Sequence, residues 1–202
     1  MERSQVKAAW ERIAETYADS RRADGADAAL VGELCEQLPA NATILDVGCG
    51  DGKRTLANVT GATAVGVDVA RRQVELAREN VPDAHVVQGD MLSLPIRDSA
   101  VDAITAYHAV FHVDRAHHDS VYAEFARVLK PGGKVLMTVG SSAYQQVRSN
   151  WLNSGESMYF STPGKRVTAD QLRDAGFDVV WERQVDDPLG STVPFVLAEL
   201  TD

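Results

Sequence analysis

Basic side chains are in short supply in this 202-residue chain: 20 Lys and Arg stand against 29 Asp and Glu, a formal net charge of −9. A nucleic-acid or anionic-membrane surface is held by clustered cations that neutralise phosphates. The Arg-Arg pairs, Arg21-Arg22 and Arg71-Arg72, are too few and too far apart for that, so the main partner is expected to be neither. Long apolar runs are missing as well, and none approaches the ~20 residues that cross a bilayer. The opening MERSQVKAAWERIAETY is charged and amphipathic, without the apolar stretch and small-residue cleavage site of a secretory signal, so the chain reads as cytoplasmic. Cysteine is limited to Cys35 and Cys49, which have no metal-ligand spacing. One falls in a predicted helix and the other in a glycine turn, favouring two reduced thiols over a structural disulfide. What remains is an ordinary soluble composition, 45% apolar and 24% charged, at a length that suits one domain.

The chain is organised around Thr43–Gly52, TILDVGCGDG. Ile44, Leu45 and Val47 form the short apolar run of a strand buried on both faces. The run breaks into Gly48, Gly50 and Gly52 at alternate positions, where the backbone is free to take φ > 0 and a ligand meets no Cβ. A helical pattern resumes over Lys53–Val59. Strand, glycine turn and helix together present a nucleotide-like ligand at the carboxyl edge of a parallel sheet.

The remaining pattern alternates in kind. Helical spacing marks Gln5–Asp19 and Ala28–Leu38; strands are predicted at Thr63–Val69, His85–Val87, Val101–Ala106 and Lys134–Val139, with helices at Arg71–Asn80 and Val121–Leu129. Pro131-Gly132-Gly133 is expected to stop the last of these helices. Ser141–Val167 mixes polar and glycine residues with Tyr144, Trp151, Met158, Tyr159 and Phe160, and reads as an irregular lid or binding loop. A helix over Thr168–Ala175 capped by Thr168, and strands at Phe177–Trp181 and Phe195–Leu200 joined through Asp186-Asp187-Pro188 and Gly190, complete the chain. Such alternation is that of an α/β domain with a mainly parallel sheet.

The glycine turn fails two familiar phosphate motifs. Counted from Gly48, the last glycine of a dinucleotide fingerprint falls on Lys53, which also disfavours a nicotinamide oxidoreductase, and no Gly-Lys-Ser/Thr follows. Instead Asp46 precedes the turn inside the strand, Asp68 ends the second strand, Asp90-Met91 follows the third, and Leu129-Lys130-Pro131-Gly132-Gly133 precedes the fifth. In this order the residues resemble the class I S-adenosylmethionine-dependent methyltransferases, over roughly Ile44 to Val139. The resemblance implies a Rossmann-like, three-layer doubly wound sheet of seven strands, mainly parallel with one antiparallel C-terminal strand. It implies an N-terminal helical lid (1–40), a cofactor-binding core (43–139), a substrate lid (140–167) and a C-terminal helix and strands (168–202).

By the same resemblance Asp46 and the Gly48, Cys49, Gly50 and Gly52 backbone face the methionine part of S-adenosylmethionine, with Tyr17 near its carboxylate. Asp68 holds the ribose hydroxyls, Val69 packs on adenine, Asp90 accepts from adenine N6, and Met91 supplies a backbone hydrogen bond. Ala106 and Tyr107 line the site near the methyl group. Tyr107, His108 and His112 are the candidate catalytic groups, should the acceptor need to lose a proton. His108 and His112, four apart, share a helical face, but no carboxylate or thiol completes a metal set, and none is expected. Asn-Pro-Pro-Tyr, used by family members that methylate amino groups of nucleic acids and glutamine, is replaced by Thr105-Ala106-Tyr107-His108. The expected activity is methyl transfer to a small-molecule acceptor, the alternative a non-catalytic cofactor-binding sensor or partner subunit. The acceptor atom and the oligomeric state stay open.

Overall fold

Strand β1 (Thr43–Val47) lies at the centre of the molecule, with Ile44 and Leu45 fully buried and Asp46 and Val47 only 1% exposed. It pairs in parallel with β2 (Thr63–Asp68) on one side and β4 (Val101–Ala106) on the other, setting Leu45 opposite Val65 and Ile104. Beyond β2 lies β3 (His85–Gln88); beyond β4 come β5 (Leu129–Thr138), β9 (Thr192–Leu200) and β8 (Phe177–Asp186), giving the order β3-β2-β1-β4-β5-β9-β8. β9 runs antiparallel to both neighbours. The sheet is thus seven-stranded, mainly parallel with one antiparallel strand, as the sequence implied. The computed structural model describes residues 1–20, 24–186 and 192–201. Arg21-Arg22 and the connecting Asp187, Pro188 and Gly190 lie outside them.

Successive residues of β1 serve opposite faces, as the period of a strand requires. Leu45 and Val47 join Ile104, with Val121, Tyr122 and Phe125 of α4 (His118–Val128) and Leu172 of α5 (Lys165–Asp174). Ile44 joins Ala103, Phe195 and Leu197 under Leu30, Val31 and Leu34 of α2 (Ala26–Cys35). Each fully buried aliphatic here contributes about 1.5–3 kcal/mol. Helix α3 (Arg71–Asn80) lays Val74 and Ala77 on Leu56 and Val86. Helix α1 (Arg3–Ser20) instead packs Val6, Ala9 and Ile13 against Met158, Tyr159 and Phe160.

Four local expectations are corrected. Lys53–Val59 is not a helix but contains a 3-10 turn, Leu56–Asn58. Its side chains are drawn inward: Arg54 Nε donates to Asp27 Oδ2 of α2 at 2.6 Å in a buried ion pair, and the Thr55 hydroxyl donates to Asp46. Ser141–Val167 is not irregular: β6 (Ala143–Arg148) and β7 (Met158–Pro163) form a two-stranded antiparallel sheet of their own. Pro131-Gly132-Gly133 does not separate helix from strand, because β5 already begins at Leu129 and absorbs the three residues where its register with β4 shifts. Thr168 does not cap α5; Gly164 occupies that position at φ 85°, and Thr168, 2% exposed, hydrogen-bonds Tyr122.

Candidate active site

The carboxyl ends of β1, β2 and β4 open on a cavity of about 310 Å³, at the point where the strand order reverses and α/β sheets bind ligands. Its floor is the turn after β1 (Val47, Gly48, Gly50), the end of β2 (Asp68, Val69), Asp90 and Met91 after β3, and His108 and Ala109 after β4. Val6, Trp10 and Tyr17 of α1 line the opposite side. Gly48 has φ 75° and a Cβ there would stand 2.5 Å from that of Ala109, so the turn admits no larger residue. Gly50 has φ 54°, and the direction of its missing Cβ is a gap bounded by Gln73 Oε1 and Tyr17 at 3.9 and 4.0 Å.

The Asp68 carboxylate is fixed by the backbone on both oxygens. Gly50 N–H donates to Oδ2 and Ala70 N–H to Oδ1, each at 2.9 Å. Burial nonetheless pushes its pKa up to about 6. Beside it lies Gln73, which sequence reasoning missed: it is 1% exposed, lines the cavity, and among the described residues neither its amide oxygen nor its nitrogen has a hydrogen-bond partner. The available signal was a polar residue on the inward, first-turn side of an otherwise amphipathic α3.

Asp46 is not at the cavity surface. It lies beneath the turn, where it accepts from the hydroxyls of Thr55 and Thr105, the latter at 2.8 Å, and burial pushes it up to about 7. Its position in β1 explains this: Val47, the next residue, is the one that reaches the strand end. Gly52 also stays off the cavity, turned against Ala77 of α3 and Val81 just past its end. Ala106 is fully buried within β4. Cys49 reaches only a smaller adjoining space of about 40 Å³. Both cysteines are free thiols, and burial raises that of Cys49.

Helix α1 is tied down at three places around the cavity. Arg3 pairs with Asp90, whose other oxygen accepts from Leu92 N–H at 2.9 Å, so the carboxylate expected to face adenine meets a guanidinium at the cavity mouth. Glu11 accepts from the backbone N–H groups of Arg71 and Arg72 at the start of α3, where negative charge is favoured. Arg12 makes a bidentate pair with Glu156 at 2.6 and 2.8 Å, reaching the segment between β6 and β7.

A second cavity of about 450 Å³ adjoins the first and shares Tyr17, His108 and His112 with it. Its outer walls are Tyr144 and Arg148 of β6, Trp151, and Phe160 of β7. Tyr159, expected to cover an acceptor, turns away and donates its hydroxyl to Asp114 at 2.6 Å. Trp10 lies edge-on to Tyr17, His112 and Trp151, with centroids 4.9, 5.0 and 5.5 Å apart. His112 Nδ1 lies 2.8 Å from the Tyr159 carbonyl, which only accepts, so Nδ1 carries the proton and Nε2 the lone pair. Burial lowers this imidazole to about 4, and it is neutral near pH 7. Tyr107 touches the first cavity, but its hydroxyl points inward to the Asp27 carbonyl at 3.0 Å and burial raises its pKa, which removes it as a base. Among the described residues no three His, Cys, Asp or Glu side chains gather as metal ligands.

The methyltransferase-domain family model matches residues 45–137, from β1 into β5. Over this stretch, a little under half of its length, the chain is similar to that family. The domain is 40% identical over 114 residues to the methyltransferase GfsG of Streptomyces halstedii, covering 51% of this chain and 40% of that protein. It is 27% identical over 186 residues to the tRNA (carboxymethyluridine(34)-5-O)-methyltransferase ALKBH8 of Macaca fascicularis, covering 87% of this chain and 27% of that one. The chain thus spans well under half the length of these curated relatives. Among solved structures it resembles the 1,6-didemethyltoxoflavin-N1-methyltransferase of Burkholderia thailandensis, solved with bound 1,6-didemethyltoxoflavin and S-adenosylhomocysteine. The TM-score is 0.73 at 20% identity, covering 100% of this chain and 92% of that one, a likeness of fold. No helix among the described residues is long and apolar enough to cross a membrane.

Proposed function

We propose that this chain transfers the methyl group of S-adenosylmethionine to a small-molecule acceptor in the cytoplasm. The observation that carries the reading is Asp68 beside Gln73 on the floor of the first cavity. An amide buried without partners costs about 1–3 kcal/mol, and Asp68 keeps lone pairs beyond those taken by Gly50 and Ala70. A ribose diol, both donor and acceptor, satisfies this pair. The residues therefore fit the cofactor. Asp68 and Gln73 hold the ribose, Val69 and Met91 flank the purine, and Asp90 takes its exocyclic amine once Arg3 swings towards solvent. The Gly48–Gly50 backbone and Tyr17 hold the methionine portion under α1, which acts as a lid.

When bound, the cofactor supplies a methyl group already activated by its sulfonium. The chain's own work is alignment and exclusion of water. Trp10, Tyr17 and Trp151 close the junction between the two cavities. His112 offers its Nε2 lone pair there as a hydrogen-bond acceptor that orients the acceptor molecule, since an imidazole at about 4 takes up no second proton near pH 7. Two features support a small acceptor: the second cavity is walled by the β6–β7 hairpin at about 450 Å³, and the chain's charge of −9 opposes a polyanion.

Calorimetric titration with S-adenosylmethionine, S-adenosylhomocysteine and NAD tests the reading. The first two are expected to bind in the micromolar range and NAD not to bind, with Asp68→Ala weakening both by about tenfold (~1.4 kcal/mol). Tight NAD binding without sulfonium binding would overturn it. Cofactor binding without production of S-adenosylhomocysteine on any acceptor would favour a sensor or partner subunit instead.

A further inference from the structure

We propose that the second cavity receives a flat aromatic acceptor bound as its phenolate, with Arg148 as the counter-charge. The proposal rests on the methyl-transfer reading above and specifies its substrate class. The walls suit a ring: Trp151, Phe160, Tyr144 and Phe111 present aromatic surfaces around the space, and flat faces of this kind bind another ring by offset or edge contacts. Among the described residues no Asp, Glu or Lys lines it, and Arg148 is the one arginine that does. Among the described residues no carboxylate pairs with Arg148. Its guanidinium is instead held in place by neutral groups. It sits 4.5 Å from the centroid of the Phe160 ring, and Gln146, with its amide oxygen and nitrogen assigned so that oxygen faces the donors, accepts from Nε and Nη2 at 2.8 and 3.0 Å. A positioned cation in an otherwise acidic protein, open to an aromatic space, selects an aromatic anion.

The chemistry agrees. Burial above all, with the Arg148 charge adding to it, holds His112 low, and the same charge favours ionisation of a phenol placed nearby. A phenolate needs no base. Its oxygen lone pair forms the new carbon–oxygen bond while the carbon–sulfur pair stays on sulfur, and anion and sulfonium become a neutral ether and a neutral thioether. The site can then work with Tyr107 turned inward and His112 Nε2 unable to hold a second proton near pH 7.

The test uses 4-nitrophenol, whose phenolate absorbs visible light, with the chain saturated in S-adenosylhomocysteine at about pH 6. The absorption spectrum is expected to shift towards the phenolate on binding, and Trp10 and Trp151 fluorescence to be quenched. Arg148→Gln is expected to abolish the shift and raise Kd at least about fivefold, while Arg148→Lys keeps part of it. S-adenosylhomocysteine affinity, measured separately by calorimetry, should match wild type in both variants, because Arg148 lies outside the first cavity. Failure of 4-nitrophenol to bind, equal binding of neutral 4-nitroanisole, or indifference to Arg148→Gln would overturn the proposal and leave the cofactor reading intact. Failure of S-adenosylhomocysteine itself to bind would overturn both.

Discussion

Glu11 of α1 accepts a hydrogen bond from the backbone N–H of Arg72 at 2.9 Å, while its other oxygen takes that of Arg71 at 2.7 Å. A carboxylate from one helix thereby caps the next, and Glu15 reinforces the contact through the Arg72 guanidinium. Glu11→Ala is expected to cost about 1 kcal/mol in thermal or denaturant unfolding, the usual worth of a cap. It should also weaken S-adenosylhomocysteine several-fold, because α1 forms one wall of the first cavity. Glu11→Gln, which keeps one acceptor, should lose less. Unchanged affinity in Glu11→Ala would show that α1 does not close on the cofactor.

Gln73→Leu should separate stability from binding. Replacing an unpartnered buried amide by an apolar group of similar size removes a desolvation cost of about 1–3 kcal/mol, so the ligand-free variant is expected to melt at the same temperature as wild type or higher. S-adenosylhomocysteine should bind about tenfold more weakly, as calorimetry will read. A variant that melts lower and binds normally would make Gln73 a packing residue.

Asp46 carries a pH signature. Its carboxyl is raised from an ordinary 3.8 to about 7 by burial and by the neighbouring Asp68. A carboxyl raised in the folded state favours folding while protonated. That contribution is complete below the unfolded value and is lost as the pH climbs through the folded one. The cofactor-free protein should therefore lose stability between about pH 4 and pH 7, and Asp46→Asn should flatten that slope in melts across the same window. An identical slope in the variant would assign the titration elsewhere.

Arg54→Ala leaves Asp27, fully buried, without its guanidinium partner. Breaking a buried pair from one side costs about 3–5 kcal/mol, and equilibrium unfolding should show a loss of that order. Arg54→Lys is expected to restore only part, since an ammonium cannot make the bidentate contact.

The central strand and its turn were legible because β1 spells its burial on both faces in Ile44, Leu45 and Val47, and because Gly48 and Gly50 admit little else. Asp68 was legible as a cavity residue because it ends a strand whose last residues are buried, whereas Asp90 follows the largely exposed edge strand β3 and was legible only by its place after that strand. Asp46 was misplaced because a strand's last carboxylate and one buried under the turn look alike in sequence; only the hydroxyls of Thr55 and Thr105 tell them apart. The β6–β7 hairpin escaped because Gln145, Gln146, Val147 and Arg148 are exposed, which erases the apolar alternation a strand normally shows. The pairing of Asp27 with Arg54, 27 residues apart, left no periodic trace at all.

The hairpin forms its strand-to-strand hydrogen bonds with itself and shares none of the ladder of the main sheet. Tyr144 and Arg148 can accordingly be exchanged without disturbing the register on which the domain's folding depends. The same exposure that hid β6 from the sequence makes it the cheapest place in the chain to rewrite. Libraries confined to Ala143–Arg148 should redirect acceptor choice while retaining the cofactor, which makes this segment the natural module for divergence and for engineering.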